Sequence, residues 1–352
     1  VIILRYYDLK KRGFVAMHYG LFCLFEHFMG SQKEAIDDQF KLVVLADALH
    51  FDQVWFGEHH FNNFSLCPSP ALLLSYAIAK THRIGLGCAG FLAPFYDPIR
   101  LAEEIAMLDV LSEGRLKLGF AKGAFAPDAK HFDVTIQNLR PKMFECISAI
   151  ERLLNDLTPA SFKGTFVSFE ATNIQPKPIQ KNIPTYIATF SSIETVTFAA
   201  ERGFGLMFSQ GATLEECAYA CEAYEAVAGI KPQVILLRTL CVDSNHVQAI
   251  AFARPILDHF VKSMRAASSF GTAPHFDSQK YQTLITQRDV FFDGEKMLRC
   301  GIIGNEEACI AKLREIKQHI QNVTVVFKPL GTNFLENSTF LRRFNDDIRP
   351  YC

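Results

Sequence analysis

Three short clusters in this chain carry side chains able to do chemistry. Glu58-His59-His60-Phe61 sets a carboxylate beside two adjacent imidazoles. Histidine titrates near neutrality, so such a pair can supply a general base. Two ordinary surface histidines are the competing reading. A zinc site would need a His-Glu-x-x-His spacing or a third ligand, and neither is present. Lys122-Gly123-Ala124 puts a cation next to a glycine, where backbone N–H groups can approach a phosphate. A solvated loop lysine explains it equally well. Ser191-Ser192-Ile193-Glu194-Thr195 places hydroxyls at a helix start, where free N–H groups and the helix dipole favour an anion. Plain N-capping by Ser191 or Ser192 is the alternative. The last two clusters follow consecutive strands, so they can converge on one anion.

The elements that must position these clusters alternate along the chain. Strand candidates are Tyr19–Leu24, Gln53–Gly57, Ile84–Gly90, Leu116–Ala121, Thr185–Ala188, Gly205–Phe208, Val234–Val242 and Val323–Phe327. Most are continuously apolar, as strands covered on both faces must be. Between them run helical segments at Ala35–Leu49, Pro70–Lys80, Ile99–Leu111, Phe144–Asn155, Ile193–Arg202, Leu214–Ala228 and Glu306–His319. Asn305 is placed to cap the last of these, and Gly114 to stop the third. Eight β/α units predict an α/β fold, a single (β/α)8 TIM-type barrel with its site at the C-terminal strand ends. An open doubly wound sheet is the rival, and it needs a dinucleotide fingerprint. Gly85-Leu86-Gly87-Cys88-Ala89-Gly90 has the spacing, but it lies inside a strand and Phe91-Leu92-Ala93-Pro94 opens no helix, so it is rejected. Two insertions interrupt the rhythm. Thr158 to Lys181, between strands four and five, reads as a hairpin and a turn. Ser263 to Gly304, after strand seven, reads as a lid or an irregular excursion with its own short helix.

Bulk properties narrow the classes. Of 352 residues, 49% are hydrophobic and 21% charged, with a net charge of −1. A large core is available, and no basic block argues for nucleic acid or anionic lipid. No apolar run is long enough to span a bilayer. The ten cysteines include no Cys-x-x-Cys pair and are expected as free thiols in a reducing cytoplasm. Residues 1–16 carry Arg5, Lys10, Lys11 and Arg12 but no continuous apolar stretch, and are expected as a non-native or disordered extension. The domain is expected to span 17–352, beginning at Met17. The segment Pro70–Lys80 is apolar on all sides, which predicts a homodimer formed with Ile99–Leu111.

Taken together, the motifs resemble the bacterial luciferase-like flavin-dependent monooxygenases. The likeness rests on Phe51-Asp52-Gln53-Val54-Trp55-Phe56-Gly57-Glu58-His59-His60-Phe61, on Asp97-Pro98, Ala102-Glu103 and Leu108-Asp109, on Leu111-Ser112-Glu113-Gly114-Arg115, and on Asp347-Ile348-Arg349-Pro350-Tyr351. The resemblance implies that His59 is the catalytic histidine. It implies that Lys122, Ser192 and Thr195 hold the flavin phosphate, and that Ala89-Gly90 forms the bulge under the flavin ring, where the family has a non-prolyl cis peptide. Glu58, Ala124 and Ser191 are expected at the cofactor with them. The implied activity uses reduced FMN as co-substrate and O₂ to oxidise a small organic substrate through a flavin hydroperoxide, with FMNH₂ supplied by a separate flavin reductase. Departures exist. Lys122 replaces the usual arginine and loses its bidentate fork. Ala121, Ser191 and Gln210 stand where the light-emitting enzyme has cysteine, glutamate and tryptophan, which argues against luminescence. Two alternatives remain within reach of the same residues: hydride transfer with a deazaflavin, and flavin binding without turnover.

Overall fold

The computed structural model describes residues 17–27, 30–62, 64–189, 192–269 and 293–352. The extension at residues 1–16 and Ser191 lie outside the described residues. Eight strands form the wall: β1 (His18–Cys23), β2 (Gln53–Phe56), β3 (Gly85–Cys88), β4 (Leu116–Ala121), β5 (Thr185–Ala188), β6 (Gly205–Phe208), β7 (Val234–Val242) and β8 (Val323–Pro329). Each pairs in parallel with the next, and β8 returns to β1 through His18↔Thr324 and Leu21↔Phe327. The sheet is a closed parallel barrel, as the alternating β/α pattern predicts.

The outer helices, in chain order, are α1 (Gln32–Ala48), α2 (Pro70–Ile78), α3 (Pro98–Leu111), α4 (Ala126–His131), α5 (Leu139–Asn155), α6 (Ile193–Arg202), α7 (Leu214–Ala228), α8 (His246–Ser269), α9 (Gly294–Cys300), α10 (Glu306–His319) and α11 (Phe334–Arg343). Their starts are written in side chains. Ser31 and Thr213 close capping boxes with Glu34 and Glu216, and Asn305 accepts from the Ala308 N–H. Sequence reasoning did not assign α4, α8 or α11. Pro255 lies inside α8, which runs on through it, and α11 begins after the N-cap Asn333 in a stretch of mixed polarity. The expected excursion from Ser263 therefore begins inside a helix, and 270–292 lies outside the described residues. Between β4 and β5, Ala160–Lys163 and Ser168–Thr172 pair antiparallel.

Inside the barrel, large and small residues alternate. The Trp55 ring fills space that a Cβ on Gly87 would invade at 2.5 Å, and Met207 does the same at Gly119 at 2.7 Å. Trp55 donates to Gln53 Oε1 at 3.1 Å, and Gln53 donates to Thr324 Oγ1 at 3.0 Å, so the polar atoms of this core satisfy one another. The Asp109 and Arg115 motif residues turn out to be clamps. Buried Asp109 accepts from the Gln180 N–H and side chain, while Arg115 donates to Thr81 Oγ1 and to the carbonyls of Ile84 and Ser112. They tie the loops at the N-terminal end of the barrel, opposite the mouth.

Candidate active site

On β2 the alternation Gln53, Trp55, Gly57 continues to His59, which puts this imidazole on the barrel-mouth side and its neighbours on the helix side. The contacts agree. Glu58 is buried and accepts from the Leu92 N–H at 3.0 Å; its other oxygen meets His60 Nε2 at 2.9 Å, and the Tyr96 hydroxyl also bonds to it. Burial raises the Glu58 pKa and these partners pull it back. With both oxygens engaged, Glu58 fixes the turn after β3 and the ring of His60, which lies 4.7 Å from the Phe132 ring.

His59 has different company. Its ring lies 4.7 Å from Phe64 and 5.7 Å from Phe125. Desolvation, with a further push from His60, drives its pKa down to about 3. The imidazole is thus uncharged at physiological pH: a ring nitrogen is free of a proton, but its basicity is reduced by the same burial. Sequence reasoning expected a value near neutrality; the aromatic cage, assembled from two distant segments, accounts for the difference.

Across the mouth the strands end in small residues. Ala89, Ala121 and Ala188 follow or end β3, β4 and β5, and each is partly accessible where its strand neighbours are buried. Because β3, β4 and β5 are neighbours in the sheet, these small side chains form an alanine floor on this side of the mouth. Next to it the Ala89–Gly90 peptide is cis. A Cβ on Gly90 would stand 2.8 Å from the Phe120 backbone, so only glycine fits there. Just past the floor, Gly123 takes φ +82° between half-buried Lys122 and Ala124.

The helix that follows β5 is α6. Ser192 sits at the N-cap with no side-chain cap hydrogen bond, and buried Thr195 donates to the Ser192 hydroxyl at 3.4 Å. Arg140, from the first turn of α5, reaches the same helix start and pairs with Glu194 at 2.9 Å. Sequence reasoning missed Arg140. A cation in the first turn of a helix opposes the dipole, and that was the available signal. Two more residues close the site. Thr189 Oγ1 and Gln210 Oε1 are buried without hydrogen-bond partners among the described residues, beyond β5 and β6. Arg238, fully buried on β7, clamps the loop carrying Gln210 by donating to Ala212 O at 2.7 Å and Ser209 O at 3.4 Å. Its signal was an arginine inside an otherwise apolar strand. Asp128 on α4 is also buried, with Oδ2 unpartnered, and burial pushes its pKa up to about 6. Among the described residues no cluster of three or more metal-ligating side chains occurs.

A closed parallel barrel with an uncharged histidine, a small-residue floor and an anion-ready helix start at its C-terminal mouth defines a (β/α)8 enzyme. The model of the luciferase-like monooxygenases matches residues 17–320, and the chain belongs to this family of oxidoreductases. It is 25% identical, over 95% of each chain, to the oxygenase component of a flavin-dependent trigonelline monooxygenase from Acinetobacter baylyi. Among solved structures it resembles the monooxygenase RslO1 from Streptomyces bottropensis, with a TM-score of 0.82 and 22% identity over 95% of this chain and 99% of that one. It also resembles the oxygenating constituent of 3,6-diketocamphane monooxygenase from Pseudomonas putida in complex with FMN, with a TM-score of 0.76 and 17% identity over 96% and 99%.

Proposed function

We propose that the chain is an FMN-dependent monooxygenase that takes reduced FMN from a separate reductase and uses O₂ to oxidise a small organic substrate. The observation that carries this reading is the set of small residues at the ends of β3, β4 and β5 together with an α6 N-cap, Ser192, whose side chain makes no cap hydrogen bond. A planar ring fits the floor formed by Ala89, Ala121 and Ala188, where any larger side chain would occupy its place. The phosphate falls to Ser192, Thr195 and Lys122, with Arg140 adding positive charge. Thr189 and Gln210 hold polar atoms that a ligand at the mouth can satisfy. Bound reduced FMN supplies the electrons that activate O₂, one oxygen atom going to substrate and the other to water. His59 accepts a proton at a ring nitrogen without first having to lose one. Phe64, Phe125 and α8 screen it from water.

The name of the Acinetobacter relative, an oxygenase component, supports a separate reductase. Exposed Leu72 and Tyr76 on α2 and Met107 and Leu111 on α3 support a homodimer through these helices, and the free thiols fit a cytoplasmic setting. The phosphate assignment predicts that FMN binds more tightly than riboflavin. Lys122→Ala should weaken FMN by about tenfold and leave riboflavin unchanged, the loss of one charge-assisted contact. Fluorescence titration of both flavins, with a deazaflavin as a third ligand, checks this. Equal affinity for FMN and riboflavin, or tighter binding of the deazaflavin, overturns the reading.

A further inference from the structure

One buried amide at the mouth is matched to a sulfur atom. Gln210, in the loop that follows β6, is 5% exposed, and its Nε2 donates to the thioether of Met297 on α9 at 3.4 Å. A thioether is a weak acceptor and a poor partner for an amide taken out of water. The Oε1 of the same amide has no hydrogen-bond partner among the described residues. Arg238 ties the carbonyls of Ser209 and Ala212, so the loop presents this amide in one place. Met297 is 3% exposed. Its helix is fixed by Asp293 at the N-cap and by Lys296, which pairs with Glu216 of α7 at 2.9 Å. The sulfur is thus held away from bulk solvent, beside an amide at the mouth.

The two ends of that amide define what fits there. One end touches the sulfur and the other offers a free acceptor. A small molecule that donates to Oε1 is brought against a polarisable sulfur that peroxides oxidise. Hydrogen peroxide has the size and the O–H donors for this. It is also the product when reduced flavin passes two electrons and two protons to O₂ and no substrate takes an oxygen atom. The sulfur lone pair then attacks one peroxide oxygen, the O–O bond breaks, and the other oxygen leaves as water with both protons. Sulfur is oxidised by two electrons to the sulfoxide, and the peroxide is reduced. The sulfoxide oxygen is a strong acceptor for the Gln210 N–H. An N–H···O bond needs about 2.9 Å for itself, so an oxygen entering the 3.4 Å gap pushes α9 away from the loop that Arg238 holds.

We propose that Met297 is an internal oxidation site, at which peroxide formed at the mouth without substrate is held by Gln210 and converts the thioether to the sulfoxide before it escapes. This rests on the mouth being an FMN monooxygenase site, and it adds a modification of the chain by a by-product of that site. The test supplies reduced FMN and O₂ without organic substrate, with catalase in solution, and maps oxidised methionines by peptide mass. Catalase destroys peroxide that has left the protein. Met297 should gain one oxygen atom first, while Met107, 45% exposed, is protected. Hydrogen peroxide added without catalase to protein holding oxidised FMN should reverse that order. Met207 is the internal control, because it lies on β6 but packs its sulfur against Gly119. Gln210→Leu, saturated with FMN, should slow Met297 oxidation by about tenfold, the worth of one hydrogen bond. Should that variant fail to fold, Gln210→Asn withdraws the amide by one methylene and should show the same loss. Met107 or Met207 oxidised ahead of Met297, catalase protecting Met297 as well, or a folded Gln210 variant that oxidises at the wild-type rate overturns the proposal. FMN titration and O₂ uptake in the same samples separate the two levels. Failure to bind FMN sinks the cofactor reading and this one with it, whereas bound FMN that consumes O₂ and leaves Met297 unoxidised sinks this one alone.

Discussion

The two halves of the barrel mouth are built on opposite principles. From β3 to β5 the strands end in alanine and glycine, and the surface acts through what it leaves out. From β8 through β1 to β2 the rim carries Lys328, Glu26 and His59, each held by specific neighbours. A rigid aromatic cofactor needs a flat vacancy, so small side chains suffice. Chemistry needs placed donors and acceptors, and these must be supported from behind. Glu58 with His60 and Arg238 with its carbonyls are such supports.

This contrast can be broken from either side. The largest effect belongs to the populated half. His59→Ala should lower turnover by roughly 10²–10⁴-fold and leave FMN affinity nearly unchanged. His60→Ala should instead cost about 1–3 kcal/mol of stability, because it strips a partner from buried Glu58. Single-turnover oxidation of reduced FMN, read beside thermal melts, separates the two. Because His59 is held uncharged with a pKa of about 3, the pH–rate profile should show no histidine limb near 6.5. If only His60→Ala loses turnover, the alternation argument on β2 is wrong. On the empty half, Ala121→Leu should weaken FMN by roughly 10- to 100-fold through overpacking, with little change in melting temperature. Unchanged affinity would move the ring off the floor.

The smallest effect tests the border between the halves, where Asp128 is buried with one oxygen unpartnered. Its pKa stands at about 6 in the folded chain against an ordinary 3.8. A raised carboxyl favours the fold while it is protonated, so its contribution is full below about pH 4 and is lost as pH rises through about 6. Asp128→Asn should therefore stabilise the protein at pH 7 by about 3 kcal/mol, with the gain vanishing toward pH 4. Denaturant melts at both pH values check this. An Asn variant weaker at pH 7 would mean that the carboxylate is charged and paired there.

The sequence made the barrel legible because its strands are short, apolar and evenly spaced, and because each active cluster sits just past one of them. For the adjacent pair His59-His60 the two-residue period of a strand says only that one of them faces the mouth, and it was the family resemblance that selected His59. Arg140, Arg238 and Asp128 were not found. Each is isolated in the chain, and its meaning comes from partners far away: Glu194 for Arg140, the 209–212 loop for Arg238. The low pKa of His59 was hidden for the same reason, since Phe125 belongs to a different β/α unit. The α8 helix escaped because Pro255 lies inside it.

One seam in the wall has a consequence for how such a protein can diversify. Near its start β7 pairs with β6, but its last residues pair with Ile302–Gly304, Leu240 against Ile302 and Val242 against Gly304. The chain thus leaves the wall after Val242 and comes back alongside the same three residues. Of the described residues between, α8 and α9 hang from this seam, yet they reach back to other units: Phe260 lies over Lys328 and against Phe64, and Met297 lies against Gln210. The parallel closure from β6 through β7 to β8 uses none of these residues. A change in α8 or α9 can therefore be felt at the mouth without disturbing the ring of strands that holds it.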